Sequence, residues 1–222
     1  EPLSNLDAKL RDRARTWLKH LQNKVGLTTV YVTHDQIEAL AMSDRIAVMD
    51  AGRIVQLDTP QAIYRSPANQ FVADFIGASN LVEGTLETNG GHARVRYADG
   101  QVLGVDAATG PKAVPGKVMT AIRPESIRLL PGAGMAAAAA RAAATPAASA
   151  TATPAAACAV GDSTTPAIVR GRLVDQSYLG ARFSYQVEAL GAVLRVEAEA
   201  DLPSGDVALQ IPPSAIVVFP VS

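Results

Sequence analysis

With 222 residues, 48% of them hydrophobic and 18% charged, the chain is long enough for one large or two small packed domains. Twenty basic against 21 acidic residues leave a formal net charge of -1, which gives no global attraction for nucleic acid or an anionic membrane. A single cysteine, Cys158 in an alanine-rich tract, excludes an internal disulfide framework, and the lack of any stretch of about 18 charge-free apolar residues or of a basic-then-apolar leader pattern predicts a cytosolic chain.

After Pro2, apolar residues recur at helical spacing (Leu6, Leu10, Ala14, Trp17, Leu18, Leu21, Val25), with Asp7 early and Lys24 late as the helix dipole favours. An amphipathic helix ending near Gly26 is predicted. Thr28 to Thr33 is short, β-branched and nearly uncharged, which predicts a buried strand and, fed by a helix, a parallel α/β arrangement. His34 follows the end of that strand. A second helix is expected over Gln36 to Met42, a strand over Arg45 to Met49, a turn at Asp50 to Arg53, and an alternating hairpin strand over Ile54 to Leu57. Thr59-Pro60 supplies an N-cap and a first-turn proline for a further helix, and Phe71 to Ile76 another that stops at Gly77.

From Ala78 the texture changes to short alternating segments: Leu81 to Leu86, Ala93 to Tyr97, Val102 to Val105, Val118 to Ile122, Ile168 to Val174, Phe183 to Val187, Val193 to Val196 and Ala215 to Phe219. Many short strands with turn signals predict a small β-barrel or sandwich over 78 to 222. About 131 to 166 the composition is Ala, Thr and Pro. That is a low-complexity insertion, with helix signal at most around Met135 to Ala144, and it is expected to be mobile.

Alone, Glu1-Pro2-Leu3-Ser4-Asn5-Leu6-Asp7 reads as an acidic residue, a rigid turn and a helix start capped by Ser4 or Asn5. A second polar segment, Thr33-His34-Asp35-Gln36-Ile37-Glu38-Ala39, lies where α/β sheets bind ligands, past a strand's C-terminal end. A lone histidine is more often a packed or surface residue, but one held at such an edge can aim a ring nitrogen at a phosphate. These two segments, followed by Ser43-Asp44-Arg45-Ile46-Ala47-Val48-Met49 and Gly52-Arg53-Ile54-Val55-Gln56, resemble without a gap the end of the ATPase domain of an ATP-binding cassette (ABC) transporter over residues 1 to 77.

The resemblance implies that Glu1 is the general base toward the attacking water, that Ser4, Asn5, Leu6 and Asp7 form the D-loop at the interface of two ATPase subunits, and that His34 is the switch histidine on the γ-phosphate. Those roles suit phosphoryl transfer, which asks the protein mainly for a positioned water and charge stabilisation. ATP and Mg2+ are the implied cofactors, with no metal ligand of this chain's own. The phosphate-binding loop, G-x-x-x-x-G-K-S/T, is missing: around Gly110 and Gly116 the spacing is one residue too long and Val118 follows Lys117. With Glu1 in place of an initiating Met, a truncated chain is expected, inactive alone while its full-length form hydrolyses ATP.

The region from 78 onward resembles the accessory TOBE domain of such importers, on Phe75-Ile76-Gly77 leading to Asn80-Leu81-Val82-Glu83-Gly84, on Ala121-Ile122-Arg123-Pro124-Glu125, and on Tyr178-Leu179-Gly180. The fold class is thus α/β, a partial ABC ATPase domain with the C-terminal part of a parallel sheet, followed by an all-β OB-like TOBE barrel. Arg123, Glu125, Tyr178 and Gly180 are the implied regulatory or interface positions; the structural alternatives are an Arg123–Glu125 pair at a strand end and a hairpin turn at Gly180. The implied function is the ATP-binding subunit of a bacterial importer for a small solute, more like the polyamine, iron and phosphonate branch than the sugar branch. Its implied partners are a second copy, membrane permease subunits and a solute-binding protein, on the cytoplasmic face of the inner membrane. The alternative is a stand-alone regulatory or ligand-binding β-module with residues 1 to 77 kept for dimerisation. Nucleic-acid binding ranks last, because Tyr97, Tyr178, Phe183, Tyr185 and Phe219 come with no basic cluster.

Overall fold

Asp7 opens the first helix: its Oδ1 accepts from the Leu10 backbone N–H at 2.8 Å, so the cap is Asp7 and not Ser4 or Asn5. The structure, a computed structural model, describes residues 7–89, 92–106, 115–131 and 166–221. Helix α1 (Ala8–Val25) ends at Gly26, whose φ of 65° needs a residue without a Cβ and whose N–H closes on Gln22. The chain separates into two units, Glu1–Gly77 and Ala78–Ser222.

In the first unit, α2 (Gln36–Met42) starts at Asp35, whose carboxylate accepts from the Ile37 and Glu38 N–H groups. Strands β1 (Ile46–Asp50) and β2 (Arg53–Asp58) pair antiparallel through a two-residue turn in which Ala51 and Gly52 both have positive φ, the geometry whose twist suits a tight hairpin. Thr59 caps α3 (Pro60–Arg65) and Asn69 caps α4 (Gln70–Phe75). Ile46, Val48, Ile63, Val72 and Ile76 form this unit's core.

Among the described residues the strand expected at Thr28 to Thr33 is not formed, and no parallel strand pairing is present in this unit. Residues 28–33 are outside any strand, and the sheet pairing described in this unit is the antiparallel β1–β2 hairpin. A strand is stable only against neighbours, and among the described residues none pairs with this segment. Val30 and Val32 are accordingly 90% and 71% exposed.

The second unit contains ten strands in the described residues: β3 (Asn80–Asn89), β4 (His92–Tyr97), β5 (Val102–Val105), β6 (Gly116–Ile122), β7 (Arg128–Pro131), β8 (Ala167–Tyr178), β9 (Phe183–Ala189), β10 (Ala192–Ala198), β11 (Gly205–Ile211) and β12 (Ile216–Pro220). They build two antiparallel five-stranded sheets, in the orders β12-β6-β3-β4-β5 and β7-β11-β8-β9-β10. The orders superimpose: β8 to β12 repeat β3 to β7, with the last strand of each half placed in the sheet of the other. Both exchanges run through a 3-10 corner, Pro124–Ser126 and Pro213–Ala215. Ile122 and Ile127 flank one corner as Ile211 and Ile216 flank the other, and all four are buried. Gly84 and Gly171 are matching points too. A Cβ on Gly84 would strike the Val95 side chain, and one on Gly171 would lie 2.5 Å from Leu209 and 2.7 Å from Val187.

One core from Val82 to Val218 joins the two sheets, so the unit is all-β as expected, with two curled half-barrel sheets consistent with the OB-like barrel read from the sequence. Strands β7 and β11 were not expected from the sequence. In β11, Val207, Ala208 and Leu209 are buried in succession, because the strand lies between β8 and β7, and the alternation that marks a half-exposed strand is lost. Most of the Ala/Thr/Pro insertion lies outside the described residues, including the Met135 to Ala144 segment. No helix among the described residues is long and apolar enough to cross a membrane.

Candidate functional site

His34 is exposed on an extended segment whose two flanks are tied down. Extended backbone puts Tyr31 and Thr33 on one side and Val30 and Val32 on the other. The first pair turns toward α2. The Tyr31 hydroxyl donates to Glu38 Oε2 at 2.9 Å, and the Thr33 hydroxyl donates to the same oxygen at 2.8 Å. Thr33 Oγ1 also accepts from the Asp35 N–H at 3.0 Å, so the backbone immediately before and after His34 belongs to one network. Glu38 is 3% exposed.

Its other carboxylate oxygen faces Arg15 of α1, with Nη2 at 3.6 Å; the same Nη2 donates to Asp35 at 3.1 Å, and Nη1 donates to Asp12 at 2.7 Å. Arg11, one turn earlier on α1, reaches Asp35 at 4.0 Å. A buried carboxylate is costly unless paired and hydrogen-bonded, and here two hydroxyls and a guanidinium meet that need. Desolvation, and then the hydrogen bond donated to Glu38, push the Tyr31 phenol up to about 12. Lys19 Nζ, farther along α1, reaches Asp44 just after α2 at 2.9 Å. Helix α1 is thus joined to α2 and its flanking residues by four ionic contacts, Arg11 and Arg15 to Asp35, Arg15 to Glu38, and Lys19 to Asp44.

Asp7 caps the start of α1, two turns before Arg15, which is the element's connection to the His34 segment. Glu1, Ser4, Asn5 and Leu6 lie outside the described residues. In the second unit the singled-out residues sit on two different connections. Arg123 precedes the corner at Pro124–Ser126, with Pro124 buried and Glu125 within the turn. Tyr178 and Gly180 occupy the β8–β9 hairpin, where the Leu179 N–H donates to the Arg182 carbonyl at 2.8 Å and Gly180 has φ 88°. Gly180 therefore does make a hairpin turn. Tyr178, 68% exposed, stacks at a tilt on Phe183 with ring centroids 5.0 Å apart. Among the described residues no group of three or more His, Cys, Asp or Glu side chains is placed to hold a metal ion.

Sequence reasoning left Glu38 without a role. In sequence it reads as an ordinary acidic residue in the first turn of a helix; only the shared side of Tyr31 and Thr33, two residues apart, hints that it faces inward.

No family model matches the chain. It is 51% identical over 131 residues to the spermidine/putrescine import ATP-binding protein PotA of Rubrobacter xylanophilus, an alignment covering 58% of this chain and 35% of that protein. With the Fe(3+) ions import ATP-binding protein FbpC of Rhizobium etli it shares 39% identity over 215 residues, 94% of this chain and 50% of that one. A solved structure of the cytoplasmic molybdate-binding protein ModG matches at 11% identity and TM-score 0.41, over 63% of this chain and 94% of that chain, too distant to carry an argument. The chain spans 35% and 50% of the lengths of these two curated relatives. The relatives that the chain matches are ATP-binding subunits of ABC importers.

Proposed function

We propose that the chain is the portion of an importer ATPase subunit that carries the dimer-interface loop, the switch histidine and the accessory β-domain. The observation that carries the reading is the alignment of 94% of the chain with one import ATP-binding protein, which spans both units in a single match. Residues 1 to 77 are then the end of the ATPase domain and 78 to 222 the TOBE domain. Glu1 acts as general base, Ser4 to Asp7 cross to a second copy, and His34 contacts the γ-phosphate. The solute is of the kind named for the relatives, a polyamine or ferric ion. Permease subunits and a solute-binding protein complete the system, at the inner face of the membrane.

The described residues hold no metal-ligand group and the sequence has no phosphate loop, so they do not by themselves fit Mg2+ and ATP. We place those contacts in the part of the relatives that this chain does not span. What this chain supplies is geometry: α1 runs from Asp7, and Arg15 on its second turn bonds beside His34. Arg123, Glu125, Tyr178 and Gly180 are surface positions of the β-domain on which a regulator or second copy could act. The test is nucleotide binding and turnover by the native-length protein. ATP should bind, and Glu1→Gln should keep that binding while lowering turnover by roughly 10²- to 10⁴-fold, the usual worth of a general base. Undiminished turnover would remove Glu1 from the mechanism. Failure of the unsubstituted protein to bind ATP would remove the ATPase reading altogether.

A further inference from the structure

We infer that Glu38 is a positioning residue for His34: its buried carboxylate fixes the segment that carries the histidine and makes that segment move with α1. The inference rests on the reading of His34 as a phosphate contact. Two side-chain bonds of the segment converge on one acceptor. Tyr31 and Thr33 both donate to Glu38 Oε2, and Thr33 passes the constraint to the Asp35 N–H.

Asp35 in turn caps α2 and bonds Arg15 at 3.1 Å, so the residues on both sides of His34 are fixed by side-chain bonds. His34 itself stays exposed. Arg15 faces Glu38 and Asp35 together and stands on the helix that Asp7 caps. A displacement of α1 at a subunit interface therefore has a rigid path to the histidine. Breaking this path at Glu38 would leave two hydroxyls and the guanidinium without their shared acceptor, which is costlier than never having paired them.

The experiment is amide hydrogen exchange over residues 28–35, read beside turnover, in the native-length protein and its variants. In Glu38→Ala, exchange across 28–35 should rise and kcat fall, each about tenfold, the loss expected for a hydrogen bond to a charged group. The Michaelis constant for ATP should stay within about twofold, because Glu38 is buried and its carboxylate oxygens face Tyr31, Thr33 and Arg15. Glu38→Gln keeps an acceptor for the hydroxyls and should recover part of both effects. Thr33→Val, nearly isosteric, serves if Glu38→Ala fails to fold and should reproduce the same paired change on a smaller scale. Glu87→Ala, which breaks an exposed pair with Arg96 in the other unit, should change neither. A fall in kcat with exchange over 28–35 unchanged overturns the inference, and so does faster exchange with kcat unchanged. If the unsubstituted protein binds no ATP, it is the ATPase reading that fails, while the exchange data still decide whether Glu38 holds the segment.

Discussion

In the Ala78–Ser222 unit the inward residues of both sheets close on one another, from Val82 and Val95 to Tyr185, Leu194, Leu209 and Val218, and each is nearly inaccessible. In the Glu1–Gly77 unit five side chains make the core, while Trp17, Val25, Leu27, Val30, Val32 and Ile37 are each more than 60% exposed. The β-unit satisfies its own hydrophobic pattern. The helical unit carries a pattern that its described residues do not satisfy, and what orders its exposed segment is polar: Glu38 with its two hydroxyls, and Arg15 between two carboxylates. Hydrophobic periodicity thus states what a segment is able to bury, while the fold decides whether it does.

The sharpest test of this contrast is a pair of truncations. Leu209→Ala should cost about 2–5 kcal/mol of unfolding free energy, the range for emptying a closed core site, whereas Val30→Ala, at a side chain 90% exposed, should fall within about 0.5 kcal/mol of the parent. Urea denaturation followed by circular dichroism, with segment-resolved exchange, measures both. Comparable losses would mean that the valine face of the helical unit is covered in solution and that the contrast is wrong. Next in size are the paired glycines. Gly84→Ala and Gly171→Ala each drive a methyl group into packed side chains, and a loss of about 1–3 kcal/mol is expected for either. Equal losses support two equivalent halves; a loss at only one would show that the halves pack differently despite their matched strand orders.

That duplication is where reading the sequence stopped short. Gln36–Met42 and Val102–Val105 are found with the bounds their residues predicted, and the Thr59-Pro60 start works as expected, because caps, prolines and alternation are local signals. The repeat is not local. Ile122, Pro124, Ile127 and Pro131 recur as Ile211, Pro213, Ile216 and Pro220 at a constant offset, but few other residues coincide, and the exchange of β7 and β12 between sheets has no sequence signature at all. In the candidate site the histidine was legible from its motif. The carboxylate beneath it was not, since a glutamate in a first helical turn is favoured whether it faces water or the core.

A smaller effect in the polar unit is set by pH. The Tyr31 phenol is raised from 10.0 to about 12, so the stability it lends is fully present below pH 10 and is lost as pH rises through about 12. Ultraviolet difference titration against Tyr31→Phe should show one tyrosine ionising late, with exchange over 28–35 quickening across that window. Ionisation of Tyr31 in the ordinary range near 10 would mean that it is neither desolvated nor bonded to Glu38.

The least change is expected from removing Gly134 to Ala159 from the insertion between β7 and β8. Both strands run antiparallel to β11 and so parallel to each other; Pro131 faces Val207 while Ala167 faces Ile211. The connection must cross two strand spacings, about 10 Å, and return four residues along the strand, about 13 Å, a span of roughly 16 Å. Residues 132 to 166 number 35, and taking out 26 leaves nine, whose extended reach of about 30 Å is still ample. Shortening the closed loop from 35 to nine residues lowers its closure entropy by about 1 kcal/mol, in favour of the folded state. Denaturant unfolding should therefore show equal or slightly higher stability. A loss beyond about 2 kcal/mol would exceed any entropic effect of this size and would show that the insertion packs onto the sheets, which would make the β-unit's core larger than its ten-strand frame and sharpen the contrast with the helical unit further.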